Sequence, residues 1–285
     1  MIFRRSPRIL IPRVNREIHR PTRSIFTSPG VLALMLVTVI ALVGPFLTPY
    51  SPLEKAGAAY TPPNWQFFFG TDGVGRDVFS RVVAGLSSSW FCAAIVIALG
   101  ILIGSLVGAT AGLAGGLIDD VLMRITDGFL ALPGAVVAIA VVASLGASLQ
   151  HTLFAVTVVW WPYYARIIRG DVRAIACLPH VEAARLSGAR GLRLAFRHVL
   201  PGVIPTLVVA ATLDVGFLVL TLASLAFLGL GAPAPAPELG AMSAQGMSSL
   251  LDASWIPVYP GLAICLIALI ANLSGDNIRR RMGQM

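Results

Sequence analysis

At 285 residues, with 56% hydrophobic and only 12% charged positions, the chain carries about half the charged fraction of an ordinary soluble domain, which excludes a soluble globule. Its length and apolar content suit one polytopic membrane domain, in which lipid as well as neighbouring helices covers apolar surface. The formal charge is +8, and every basic residue but Lys55 is arginine. These arginines flank long apolar runs, so they read as orientation signals and not as a nucleic-acid footprint. Cys92, Cys177 and Cys265 have no CxxC spacing, and neither a disulfide framework nor a zinc site is expected.

Six stretches are long and apolar enough, or nearly so, to cross a bilayer, at about 30–49, 89–112, 120–145, 151–168, 202–230 and 256–274. Ahead of them lies a tail, 1–29, with Arg4, Arg5, Arg8, Arg13, Arg16, Arg20 and Arg23. Pro7, Pro12 and Pro21 interrupt any amphipathic transit helix there, and the apolar run that follows lacks a small-residue cleavage site, so it reads as a retained span. The tail reads as an anchor at anionic lipid. Lys and Arg number seven in this tail, one in the 113–125 turn (Arg124), seven in the 166–200 connection and three in the tail 276–285. The opposite side holds three, Lys55, Arg76 and Arg81. By the positive-inside rule both termini and the loop 169–200 are cytoplasmic, and the loops 50–88 and 231–255 face outward. The expected fold is an all-α polytopic membrane protein with residues 30–275 as its membrane domain.

In the outer segment 50–88, Pro52, Pro62, Pro63 and Gly70 mark turns, and Val78, Val82, Val83 and Leu86 predict a short interfacial helix from about Arg76. Thr71, Asp72, Arg76 and Asp77 either touch an external partner or cap and brace that helix, and the second use fits better. Gly100, Gly104, Gly108 and Gly112 recur on one face of the second span and predict close helix packing. Arg124 and Asp127 stand three residues apart near the start of the third span and read as a structural pair. Asp214, midway along the fifth span, is costly in lipid: it either faces a translocation path or is a buried, hydrogen-bonded carboxylate. Pro233, Pro235 and Pro237 exclude regular helix from the first part of the loop 231–255.

Nothing predicts covalent chemistry by this chain. The only Lys follows Glu54, so no GxxxxGK[ST] phosphate loop exists; His19, His151, His180 and His198 form no HExxH, and there is no GxSxG. No catalytic residue, metal or bound cofactor is expected. The cytoplasmic loop stands out instead, because it is longer than a connection between two spans requires. Glu182, Ala183, Ala184 and Leu186 favour a short helix, Gly188 and Gly191 offer places to end it, and Pro201 opens the fifth span. Such a loop implies a partner. A stand-alone secondary transporter is the reading from another class, but the inverted repeat or paired broken helices it would favour are not evident.

Glu182-Ala183-Ala184, three residues, Gly188, and then Leu200-Pro201 resemble the EAA signature of bacterial ABC-importer permeases, EAA-x3-G-x9-I-x-LP, with His198 at the Ile position. Phe69-Gly-Thr-Asp-Gly-Val-Gly-Arg-Asp-Val-Phe-Ser-Arg81 is similar to the GTDxxGRDxxSR segment in the second membrane subunit of dipeptide and oligopeptide importers. Ala223 to Gly231 resembles the SFLGLG segment of that family, and Pro260 to Ile264 with Asn272 to Asp276 resemble its last span, so the likeness covers about 68–280 in order. The chain departs from the pattern at Ala226, at Glu238-Leu239, where Ser-Trp is common, and over Cys177 to His180.

The resemblance implies a type I ABC-importer-like permease that forms a heterodimeric path with a second permease, for dipeptides or oligopeptides or, alternatively, nickel or another small solute. It also implies two separate ATPase subunits that hold ATP and Mg, an extracytoplasmic substrate-binding protein, and a place in the bacterial inner membrane. The stretch from Glu182 to Gly188 would be a coupling helix seated on one ATPase, moved as a lever when the ATPases close.

Overall fold

A backbone in lipid must satisfy its own N–H and C=O groups, and the described residues, 29–282 of this computed structural model, do so as helices. The arginine tail expected at 1–29 thus lies outside the described residues except for Pro29. In order come α1 (Pro29–Leu47), α2 (Val78–Ala114), α3 (Gly116–Leu130), α4 (Gly134–Leu145), α5 (Leu149–Ala176), α6 (Pro179–Leu186), α7 (Gly191–Leu194), α8 (Leu200–Phe227), α9 (Leu239–Gly246) and α10 (Trp255–Met282). A π-helical stretch, Ala195–Val199, joins α7 to α8 without a break.

Among the described residues four stretches are long and apolar enough to cross a membrane: Pro29–Leu47, Val78–Ala114, Gly191–Phe227 and Trp255–Arg280. A fifth arises when α3 and α4 count together as one broken span. On α5, where a span at 151–168 is expected, Arg166, Arg169, Asp171 and Arg173 crowd the C-terminal part.

Two elements differ from the sequence reading. The interfacial helix and the second span are one continuous helix, α2, 37 residues and thus about 55 Å long. Nothing in Ser87-Ser88-Ser89 removes a backbone donor, so the helix simply continues. The third span, read as a single stretch, is bent by 82° between α3 and α4. Pro133 lies at the bend; it lacks an N–H, disfavours helical backbone at the residue before it, and becomes the N-cap of α4.

The bundle is organised around the α2–α5 contact. Gly100, Gly104, Gly108 and Gly112 lie against Trp160, Tyr164, Ala165 and Val172; a Cβ on Gly104 would come within 2.5 Å of the Tyr164 Cβ, and one on Gly108 within 2.4 Å of the Ala165 carbonyl oxygen. Backbone meets backbone there, which brings Tyr164 and Ile168 to complete burial. α10 packs on α8, α9 and α1, and the Ser274 hydroxyl donates to the Gly30 carbonyl at 2.7 Å.

Candidate functional site

Three groups of residues carry polar chemistry. At one end of the bundle, Asp77 caps α2: its Oδ2 accepts from the Ser80 N–H at 2.8 Å and the Ser80 hydroxyl at 2.6 Å. Asp72 accepts from the N–H groups of Val74 and Arg76, both at 2.9 Å, and from Arg76 Nε at 2.7 Å. Thr71 donates its hydroxyl to the Ala58 carbonyl at 2.6 Å, and its own carbonyl accepts from the indole of Trp255 at the head of α10. Arg81, buried, donates to the carbonyls of Pro52 at 2.9 Å and Pro235 at 3.2 Å, tying the loops before α2 and before α9 to α2. Phe69 stacks on Tyr259 with ring centroids 4.1 Å apart. Thr71, Asp72, Arg76 and Asp77 thus satisfy one another and their own loop, the arrangement of a brace. Glu238 also belongs to this region: its Oε2 accepts from the Ala232 N–H at 2.6 Å, and burial pushes its carboxyl above the usual range.

At the opposite end, α6 begins with Pro179 in its first turn, where the missing N–H costs nothing. It ends on Gly188, whose φ of +91° is left-handed. The Ala189 N–H reaches the Ala184 carbonyl and the Gly188 N–H the Arg185 carbonyl, both at 3.0 Å. This pair of bonds is a Schellman stop, and it explains why glycine stands four residues after Ala184. Only Val181 is buried on α6, whereas Glu182 and Ala183 are exposed and Leu186 is 87% exposed. Leu192 and Phe196 are exposed beyond it, so the loop presents an apolar and basic surface that none of the described residues covers.

Behind α6 stands an ion-pair cluster that the sequence reading did not single out. Asp119, 1% exposed, accepts from Arg169 Nε at 2.6 Å and Arg169 Nη2 at 2.7 Å, and Arg173 Nη2 lies 3.2 Å away. Asp127 pairs with Arg166 across the same α3–α5 seam, which corrects the expected Arg124–Asp127 pair. Geometry decides this: Asp119 and Asp127 lie on the side of α3 turned to α5, whose arginines recur at 166, 169 and 173. The clamp ties the last turns of α5, just before α6, to the corner between α2 and α3.

Midway along α8 lies Asp214, half-buried, with its Oδ2 accepting from Trp160 Nε1 of α5 at 3.3 Å. Trp160 in turn meets Phe217 with centroids 5.4 Å apart. Among the described residues no group of three or more His, Cys, Asp or Glu could hold a metal ion.

Among the described residues, an all-helical bundle of long apolar helices, braced at one end and presenting a short capped helix at the other, has the make-up of an integral-membrane component. Residues 100–284 match the family described as the inner membrane component of binding-protein-dependent transport systems. The chain is 40% identical over 254 residues to "Probable D,D-dipeptide transport system permease protein DdpC" of Escherichia coli (strain K12), covering 89% of this chain and 85% of the relative. It is 39% identical over 252 residues to the glutathione transport system permease protein GsiD of Shigella flexneri serotype 5b, covering 88% and 83%. A chain of the MetNI methionine ABC transporter, solved in inward-facing conformations, superposes with a TM-score of 0.57 at 21% identity, over 70% of this chain and 96% of that one, and so shares the fold. The chain belongs to the binding-protein-dependent transport system inner membrane component family, and it is a permease component of an ABC transporter.

Proposed function

We propose that this permease serves an ATP-driven importer of short peptides, forming the translocation path with a second permease. The names of the relatives at 36–40% identity, dipeptide, glutathione and peptide transport permeases, support the peptide class. In this reading the chain crosses the inner membrane six times, with α3 and α4 together as the third crossing and α5 as the fourth. Both termini and the loop that holds α6 are cytoplasmic; the segment braced by Thr71, Asp72, Arg76 and Asp77 and the loop before α10 face outward, toward a substrate-binding protein. ATP and Mg are held by two separate ATPase subunits, and this chain hydrolyses nothing.

The observation that carries the coupling is α6 itself. It is stopped by Gly188, held to the membrane domain by Val181, and exposes Leu186 and the apolar side chains beyond it. One ATPase seats it in a groove. Because Asp119 grips Arg169 and Arg173 on the helix that leads into α6, displacement of α6 is passed to α5 and, through the glycine face, to α2. Two packed arrangements of these helices, biased by nucleotide on the ATPases, then give inward- and outward-open states. Affinity purification of the chain from its own membranes tests the assembly: recovery of a second permease and two ATPases is expected, and recovery of the chain alone, with import unaffected by ATP depletion, overturns the reading.

A further inference from the structure

Asp214 is the carboxylate of this chain that lies farthest from either end of a membrane helix, and among the described residues it forms no ion pair. Its Oδ2 accepts from the indole of Trp160 at 3.3 Å. The groups that face it come from α5. Trp160 is half-buried and Tyr163 partly exposed, and the fully buried Tyr164 hydroxyl lies within hydrogen-bonding reach of the same carboxylate. One turn on along α8, Phe217 is 58% exposed and its ring meets that of Trp160.

A carboxylate in a membrane that receives only neutral donors, from Trp160 and Tyr164, keeps an unneutralised charge, which is costly until a cation meets it. An ammonium group fits by chemistry: it has three donors and no acceptor, which the spare lone pairs of the Asp214 carboxylate and Tyr164 Oη can receive, and aromatic faces attract it. We propose that Asp214, Tyr164, Trp160 and Phe217 form a site within the membrane for a primary ammonium group, the free amino terminus of a peptide in transit. This rests on the peptide reading above. The site would hold the leading amino group while the bundle changes state, and a neutral or blocked terminus would gain nothing from it.

The test uses the complete complex in proteoliposomes, with di- to tetrapeptides bearing free amino termini loaded on the binding protein. Asp214→Asn keeps the acceptor for the Trp160 indole and nearly the same volume, so a purely structural hydrogen bond leaves import at the wild-type rate. The ammonium site instead demands import about tenfold slower, the value of one charge-assisted hydrogen bond, with hydrolysis still stimulated by loaded binding protein and with Asp214→Glu restoring most of the rate. The ratio of wild-type to Asp214→Asn import also falls toward one as the pH rises through the peptide α-amino range of about 7.7–8.0, since the same binding protein serves both. Wild-type import by Asp214→Asn or a ratio flat with pH overturns the proposal. If Asp214→Asn assembles poorly, Phe217→Leu carries the test: slower import with the same pH trend supports the site, and unchanged import overturns it. If the wild-type complex assembles and hydrolyses ATP but imports none of these peptides, the peptide reading itself has failed, independently of any variant.

Discussion

Asp77 shows how much a single side chain settles in this protein. Buried at the head of α2, it accepts from the Ser80 N–H and hydroxyl, and it starts the helix that packs against α5. Asp77→Ala therefore costs about 1–2 kcal/mol, the loss of an N-cap, and lowers the thermal unfolding midpoint of the purified protein in detergent; an unchanged midpoint would show that the cap is redundant. Glu238 acts in the opposite sense. Its raised pKa means that the fold favours the protonated form, so its contribution to stability is full below the unfolded glutamate value of about 4.3 and is lost as pH rises through its higher folded value. Stability followed by unfolding temperature should fall over that window, and Glu238→Gln, which can still accept from Ala232, should flatten the fall. Asp72, Arg76 and Asp77 were legible as a bracing motif because their partners lie within a few residues. Arg81 reaches Pro52 and Pro235 instead, and no local spacing reports contacts at that distance.

At the scale of elements, what could be read from sequence is what depends on composition: the apolar helices, the glycine face, and the capped helix before Gly188. Continuity was harder. The join of Arg76–Leu86 to the second span depends on the absence of a break, and the bend at Pro133 depends on whether neighbours straighten or accept it. The Asp119 clamp was missed because its partners stand fifty residues away in sequence, although three arginines at helical spacing on one face of α5 were a usable signal. A buried carboxylate held by two arginines makes a sharp prediction. Asp119→Ala removes the acceptor of two charged hydrogen bonds from the partly exposed Arg169 and costs about 1–3 kcal/mol, whereas exposed Asp127→Ala costs below about 1 kcal/mol. Thermal unfolding of the two variants side by side checks this, and equal losses would show that the burial of Asp119 adds nothing to the clamp.

For the molecule as a whole, the polar groups divide the work. The end where α2 begins is closed on itself by Asp72, Asp77 and Arg81; the middle of α8 holds Asp214, which has no ion pair; the α6 end leaves apolar side chains exposed. Among the described residues nothing covers that last surface, and it sits beyond the clamp on the helix that packs closely against α2. In the proposed coupling, this surface links nucleotide hydrolysis to the bundle through a helix whose end requires left-handed backbone at Gly188. The most direct measurement is the ATPase rate of the purified complex with and without loaded binding protein, for wild type, Gly188→Asn and Gly188→Arg. Asn tolerates the left-handed region, while Arg pays about 1–2 kcal/mol there and adds a charged side chain to the docking face. The account predicts stimulation close to wild type in Gly188→Asn and loss of stimulation in Gly188→Arg; equal stimulation in all three would contradict it.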